Sequence, residues 1–193
     1  MSAWSGLERK IHVQEVALRD GLQSEAGFVA TENKIELIDQ LTASGLKKIE
    51  VSSFVSPRAV PQLADAEAVF LGIVRRPGVI YAALVPNVRG LERAIAARAD
   101  EVNLVISASE SHNRANLRMS SEASFQAIKE AAALAAAAGL PVTASLSCSF
   151  GCPFGGEIPP TTIITWCRRL LQEAAASTAL SSPAFYFLHM ACK

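Results

Sequence analysis

Cysteine is scarce in this sequence. The 193 residues include four, at Cys148, Cys152, Cys167 and Cys192. So few thiols in a chain of this length argue against a small secreted fold held together by disulfides. The spacing of Cys148 and Cys152 has no matching second pair, so it does not indicate a structural zinc site. We therefore expect reduced thiols.

An excess of charge is also absent. The chain has 18 basic and 18 acidic residues, which argues against a large surface for nucleic acid or an anionic membrane. A local anion site remains compatible with this balance, because one arginine or one helix N-terminus can hold a phosphate. No apolar run reaches the roughly 20 residues of a membrane span, and the first residues lack the apolar core of a secretory signal. We expect a cytoplasmic protein with no nucleic-acid or membrane partner.

Apolar segments of strand length alternate with segments of helical periodicity. The predicted strands are Ile11–Ala17, Lys48–Ser52, Val79–Val85, Glu101–Ser107 and Val142–Ser147. The predicted helices run from Thr31 to Gly45, over 60–75, after Asn87, over Ser121–Ala138 and from Pro160 onward. This order predicts a parallel sheet with right-handed crossovers. A doubly wound sheet and a barrel both fit the pattern.

Compact polar groups follow each predicted strand. They are Arg19-Asp20, Ser52-Ser53, Asn87, Ser107–His112 and Ser147-Cys148. In both α/β architectures the functional site lies at the carboxyl ends of the strands. We therefore expect these five groups to line one rim of the sheet.

Several motifs carry a resemblance to a known family. They are Glu15–Gln23 (EVALRDGLQ), Ile49–Pro57 (IEVSSFVSP), Val60-Pro61-Gln62, Val85-Pro86-Asn87, Ser107–Asn113 (SASESHN) and Ser147–Pro153 (SCSFGCP). In this order and spacing the set resembles the 3-hydroxy-3-methylglutaryl-CoA lyases, from about Val13 to Pro160. The resemblance implies an α/β fold, a TIM-type (β/α) barrel that is incomplete here, with about five of eight βα units.

The resemblance also implies a reaction and the residues that perform it. The reaction is the metal-dependent cleavage of 3-hydroxy-3-methylglutaryl-CoA, an acyl-CoA of leucine degradation, to acetyl-CoA and acetoacetate. Asp20 would bind the divalent cation, Mg²⁺ or Mn²⁺. Arg19 would contact the substrate and stabilise the enolate oxygen, and Glu50 would support catalysis by orienting Arg19. Gln23 and Asn87 would contact the acyl group, although Asn87 fits the N-cap of a helix equally well.

Isopropylmalate and homocitrate synthases share the opening of this motif set. A leucine before the arginine, as in Leu18-Arg19, is found in the synthases as well. However, Leu22 stands where the synthases usually carry an acidic residue, and the stretches Ser53–Pro57 and Gly151–Pro153 match the lyases. The lyase branch is therefore preferred, with a synthase-type acyl transferase as an alternative.

The metal ligands that the resemblance implies are incomplete. The family's His-x-His pair does not occur, since the three histidines are His12, His112 and His189. The resemblance fades after about Glu173, the only acidic residue between Thr161 and Lys193. We therefore divide the chain into part of a barrel domain (1–173) and an aberrant tail (174–193), which indicates a truncated or frame-shifted product.

An incomplete site leads to two expectations about activity and association. We expect the chain to lack full lyase activity, or to be a non-catalytic barrel fragment that needs a partner chain. An open parallel sheet has unpaired edges, which favour association with another chain or formation of a homo-oligomer.

Overall fold

A computed structural model of the chain describes residues 13–176 and 185–188. Five parallel strands form one sheet whose spatial order follows the sequence. The strands are β1 (Lys48–Ser53), β2 (Ile80–Val85), β3 (Glu101–Ser107), β4 (Val142–Ser147) and β5 (Phe185–Leu188). The helices are α1 (Thr31–Ala43), α2 (Ala66–Gly72), α3 (Val88–Ala96), α4 (Glu110–Leu117), α5 (Ser121–Ala137) and α6 (Pro160–Ala176).

The strand order confirms the predicted fold class. A doubly wound sheet reverses its strand order at a switch point, whereas this sheet adds each strand beside the one before it. Progression in one direction is the topology of a (β/α) barrel. The described residues therefore form part of such a barrel.

The two faces of the sheet differ in chemistry because successive side chains alternate between them. One face packs against the helices and is apolar and buried, with Ile49, Val51, Tyr81, Ala83, Val85, Val102, Leu104, Ile106, Val142 and Leu146. On β1, β3 and β4 most of the alternate positions carry polar side chains, which include Lys48, Glu50, Glu101, Asn103, Thr143 and Ser145. The face away from the helices is thus available for a polar site.

The first predicted strand is not formed as expected. Its first two residues lie outside the described part of the chain, and from residue 13 onward it makes a single parallel bridge between Glu15 and Ile49. The side chain of Glu15 accepts hydrogen bonds from the backbone N–H groups of Val16 and Ala17. Those bonds turn the backbone away from the sheet and into a π-helical turn, Ala17–Gly21.

Three helix predictions need correction. Thr31 does not cap α1, because its hydroxyl donates to Asp65 at 2.8 Å and the N-cap is Ala30. The helix predicted over 60–75 is a short 3₁₀ turn, Pro61–Leu63, followed by α2. The polar stretch after β3, where no helix is predicted, contains α4, because Ser109 caps that helix through the N–H of His112.

The predicted tail lies largely outside the described residues. Within it, Phe185–Leu188 pairs in parallel with β4 as the fifth strand of the sheet. The boundary at residue 173 stays a prediction. Among the described residues, no helix combines the length and apolar character needed to cross a membrane.

Candidate active site

The π-helical turn places Arg19 and Asp20 beside the carboxyl end of β1. The carbonyl of Val16 accepts the N–H groups of both residues, at 3.0 and 2.7 Å, which tightens the turn. Gly21 does not have a positive φ, and a Cβ there would meet nothing closer than Ala17 Cβ at 3.7 Å. The turn therefore depends on its hydrogen bonds rather than on the conformational freedom of Gly21.

Arg19 is held by two carboxylates. Its Nε donates to Glu50 Oε1, and its NH1 donates to Asp20 Oδ1 at 2.6 Å. Glu50 is fully buried and Arg19 nearly so, whereas the Asp20 side chain is 48% exposed. A guanidinium has five N–H donors. Two are used here, so three have no partner among the described residues.

The second carboxylate oxygen of Glu50 is also saturated. Oε2 accepts from Gln14 Nε2 at 2.8 Å and from Asn103 Nδ2 at 3.2 Å. Ser145 Oγ in turn donates to Asn103 Oδ1 at 2.8 Å. Because donors occupy both oxygens, the Glu50 carboxylate is held in one orientation and keeps Arg19 in place.

Among the described residues, neither Asn87 nor Gln23 forms a hydrogen bond with the network around Glu50. Asn87 Oδ1 accepts from the N–H of Gly90 at 3.0 Å and so caps α3. The side chain of Gln23 is exposed, and no described residue contacts it through a hydrogen bond. The helix-cap interpretation of Asn87 is therefore confirmed, while contacts of either residue with a substrate stay predictions.

A basic groove of about 660 Å³ lies between the ends of β1 and β2. It is lined by Phe54, Ser56, Pro57, Arg58, Asn87, Arg89, Gly90 and Arg93. A Cβ at Gly90 would lie 2.8 Å from the carbonyl oxygen of Phe54, so only glycine lets α3 approach this closely. Arg93 is paired with Glu67. Within the described chain, Arg58 and Arg89 have no ion pair, so their charges are available to an anion.

Comparison with known proteins decides which family these residues represent. The HMGL-like family profile matches residues 10–182. The chain belongs to the HMGL-like family. It is 42% identical over 179 residues to the mitochondrial hydroxymethylglutaryl-CoA lyase of Rattus norvegicus, an alignment that covers 93% of this chain and 55% of that protein. The chain thus spans about half the length of the curated relatives it matches.

Two solved structures of HMG-CoA lyases superpose well on this HMGL-like chain. The Bacillus subtilis enzyme gives a TM-score of 0.85 at 41% identity, over 91% of this chain and 57% of that one. The Acinetobacter baumannii enzyme, in complex with coenzyme A and 3-methylmalate, gives 0.82 at 43% identity, over 90% and 55%. These similarities confirm the barrel, and both relatives are named as HMG-CoA lyases, the branch that the motifs indicated.

The described residues of this HMGL-like chain do not assemble a metal site. No group of three or more His, Cys, Asp or Glu side chains among them could hold a metal ion. Asp20 is half-exposed and carries one hard oxygen ligand, but a divalent cation needs several such ligands. The residues at 13–176 and 185–188 therefore do not fit a complete metal site.

The loop after β4 contains a second polar cluster, centred on Cys152. Its sulfur accepts from Ser109 Oγ at 2.8 Å and from the N–H groups of Phe154 and Gly155 at 3.4 and 3.3 Å. Burial raises the pKa of the Cys152 thiol, but these hydrogen bonds and a contact with Ser111 outweigh it and lower the pKa to about 7. Sequence spacing alone could not reveal this, because the donors come from two separate loops.

We expect Cys152 to ionise near pH 7. The difference in thiolate absorbance between the wild-type chain and Cys152→Ser should rise with a midpoint at that pH. Ser109→Ala removes the strongest donor and leaves the effect of burial, so the midpoint should move up toward the ordinary value of about 8.5. Cys167 is the control, because burial raises its pKa. A midpoint near 9 for Cys152 in both the wild-type chain and Ser109→Ala would contradict this assignment.

Other residues of the loops serve the fold. Asn113 Oδ1 accepts from the N–H of Ser107 at 3.0 Å, and its Nδ2 donates to Met119 O and Ser124 Oγ. Cys148 is fully buried at the end of β4 and has a φ of 60°. Asn113 therefore ties the end of β3 to α5, and Cys148 packs inside the fold.

Proposed function

We propose that this chain carries the enolate-stabilising part of a carbon–carbon lyase site that cleaves 3-hydroxy-3-methylglutaryl-CoA to acetyl-CoA and acetoacetate. The observation that supports this is the buried Arg19–Glu50 ion pair on the face of the sheet away from the helices, with Asp20 half-exposed beside it. The lyase relatives support the choice of substrate.

The reaction is a retro-Claisen cleavage. The tertiary hydroxyl loses its proton, and its oxygen forms the ketone of acetoacetate as the bond to the carbon next to the thioester breaks. The electron pair of that bond becomes the enolate of acetyl-CoA, which then takes up a proton. Three N–H donors of Arg19 have no partner among the described residues and can donate to such an oxyanion. A fixed cation stabilises charge that develops in the transition state without reorganising at that moment.

We propose Asp20 as one ligand of a divalent cation, Mg²⁺ or Mn²⁺, as the family resemblance implies. Because the described residues do not complete that site, we assign no step to the cation. The same incompleteness supports a second proposal, that this chain alone is a non-catalytic barrel fragment. Location in the cytoplasm and a role in leucine degradation stay predictions, and the rat relative is named as mitochondrial.

The basic groove supports an acyl-CoA as the ligand. Coenzyme A carries phosphate and pyrophosphate groups, and Arg58 and Arg89 line the groove at the same rim of the sheet as Asn87. Each arginine would pair with phosphate in partly exposed surroundings, where such a pair contributes up to about 1 kcal/mol.

We expect Arg58→Ala and Arg89→Ala each to weaken coenzyme A binding by up to about fivefold. Binding should also weaken with added salt, because exposed charges are screened. Isothermal titration of coenzyme A into the 193-residue chain measures both effects. Arg76→Ala is the matched control, since Arg76 is exposed and lies before β2, at the opposite end of the sheet. Equal losses in all three variants would argue against this groove.

Activity is tested in two proteins. The first is the 193-residue chain. The second, the chimera, joins its residues 1–173 to the corresponding C-terminal part of the Bacillus subtilis relative. With Mg²⁺ or Mn²⁺, we expect acetoacetate from the chimera and none above a metal-free control from the chain alone, since the chain has no His-x-His pair. An inactive but folded chimera, or one that only condenses acetyl-CoA with an α-keto acid, would contradict the lyase proposal.

A further inference from the structure

Asn103 and Ser145 form a buried hydrogen-bond chain that leads to the Arg19–Glu50 pair. Asn103 lies in β3 and Ser145 in β4, on the face of the sheet away from the helices. Ser145 donates to Asn103, and Asn103 donates to Glu50 Oε2. Asn103 is 4% exposed and Ser145 is 2% exposed. An uncompensated polar group buried to this extent would destabilise the fold.

The direction of this chain is set by Ser145. The carboxylate of Glu50 has only acceptor atoms, so Asn103 must turn its NH₂ group toward Glu50 and its Oδ1 away. The hydroxyl of Ser145 donates to that Oδ1 and so stabilises this orientation over the flipped one. Without it, the buried Oδ1 would have no donor among the described residues.

We propose that Asn103 and Ser145 are positioning residues, which fix the plane of the Glu50 carboxylate and through it the guanidinium of Arg19. This inference rests on the proposed function, because it assigns Arg19 the task of meeting an oxyanion. Arg19 Nε bonds to one oxygen of Glu50 while Asn103 holds the other. Rotation of the carboxylate would therefore carry the guanidinium with it.

Gln14 alone is a poor substitute for this pair. It also donates to Glu50 Oε2, but it is only partly buried and precedes the single bridge that joins the first segment to β1. Its own Oε1 is buried and has no hydrogen-bond partner among the residues that the structure describes. Asn103 and Ser145 instead belong to paired strands in the middle of the sheet, so they are the more rigid support.

Two variants at one position separate the hydroxyl from the volume of the side chain. Ser145→Thr keeps the donor and adds a methyl group, whereas Ser145→Val has the same shape as threonine without a donor. Asn103→Leu removes the next group of the chain. Thr143→Val is the matched control, because Thr143 lies on the same face of β4 but donates to Glu101 rather than toward Glu50.

The readout is the Nε–H signal of Arg19 in ¹⁵N NMR spectra of the 193-residue chain. An N–H bonded to a buried carboxylate exchanges slowly with water. We expect Ser145→Val and Asn103→Leu to raise its exchange rate by about tenfold or more and to shift the signal. Ser145→Thr and Thr143→Val should leave both unchanged. If Ser145→Val and Ser145→Thr behaved alike, or Thr143→Val had the same effect as Ser145→Val, the proposal would be overturned.

Steady-state kinetics of the chimera give a second test of the positioning role. A misplaced Arg19 meets developing charge less well, so Ser145→Val should lower kcat with little change in KM. An equal loss in Ser145→Thr would contradict positioning by the hydroxyl. The NMR measurement needs no turnover. An inactive chimera would therefore count against the proposed function alone, and the exchange rates would still test whether Asn103 and Ser145 position Arg19.

Discussion

Replacing Glu50 with leucine should lower the free energy of unfolding of the chain by about 3–5 kcal/mol. Glu50 is fully buried, and its carboxylate neutralises Arg19 and accepts from Gln14 and Asn103. Leucine leaves a buried guanidinium with only the half-exposed Asp20 as a partner, and it leaves two amide groups without an acceptor. For a chain of this size each kcal/mol shifts Tm by about 2–4 °C, so thermal denaturation followed by circular dichroism should show a large decrease.

The control for Glu50→Leu is Glu67→Leu. Glu67 pairs with Arg93 on the surface, with side chains 40% and 27% exposed. The pKa of Glu67 is lowered by its hydrogen bond with Arg93, yet pairs this exposed typically contribute at most about 1 kcal/mol. Equal changes in Tm for the two variants would mean that the burial of the Glu50 pair has no special effect on stability.

Replacing Arg19 with lysine should lower the rate of cleavage in the chimera by about 100- to 1,000-fold, the usual effect of losing one donor to an oxyanion. Lysine keeps the positive charge but has no planar fork. It therefore cannot bond to Glu50 and Asp20 and still present several N–H groups to the substrate. The loss should be larger in kcat than in KM, because the charge on the enolate develops mainly in the transition state.

Steady-state kinetics of acetoacetate formation would test this effect. An Arg19→Lys chimera with nearly unchanged kcat would show that charge alone suffices and that the forked geometry has no role. A large rise in KM with unchanged kcat would assign Arg19 to ground-state binding instead.

The positions of the four long strands could be predicted from sequence because their signal is local. Apolar runs bounded by glycine and proline gave Lys48–Ser52, Val79–Val85, Glu101–Ser107 and Val142–Ser147, each within a residue of the strand observed. The first strand was wrong because hydrogen bonds from the side chain of Glu15 bend the backbone. The side chain of Glu15 thus competes with a neighbouring strand for backbone N–H groups, and the hydrophobic pattern of the sequence does not reveal this competition.

The site was predicted in part. The motif containing Arg19 and Asp20, together with Glu50, identified three residues that the structure brings into contact. Asn103 and Ser145 were missed because each lies inside a strand that was predicted only as buried. Their signal was present, since buried parallel strands are usually apolar throughout. Polar residues at alternate positions of β3 and β4 therefore indicate a second face with its own function.

The cluster around Cys152 shows what sequence spacing cannot give. The interval between Cys148 and Cys152 was considered only as a possible metal or disulfide pair. The donors that lower the pKa of Cys152 are Ser109, at the start of α4, and backbone groups of its own loop. Their convergence depends on the pairing of β3 with β4, which a reading of each motif alone does not supply.

A titration of the chimera with Mn²⁺ tests the central assignment most directly, because it separates Arg19 from Asp20. Rates of acetoacetate formation are measured against metal concentration for the unsubstituted chimera, Asp20→Asn and Arg19→Lys. We predict that Asp20→Asn needs more metal to reach half its maximal rate and recovers part of that rate in excess, whereas Arg19→Lys stays impaired at every concentration. Rescue of Arg19→Lys by metal, with Asp20→Asn inactive throughout, would contradict the roles assigned to both residues.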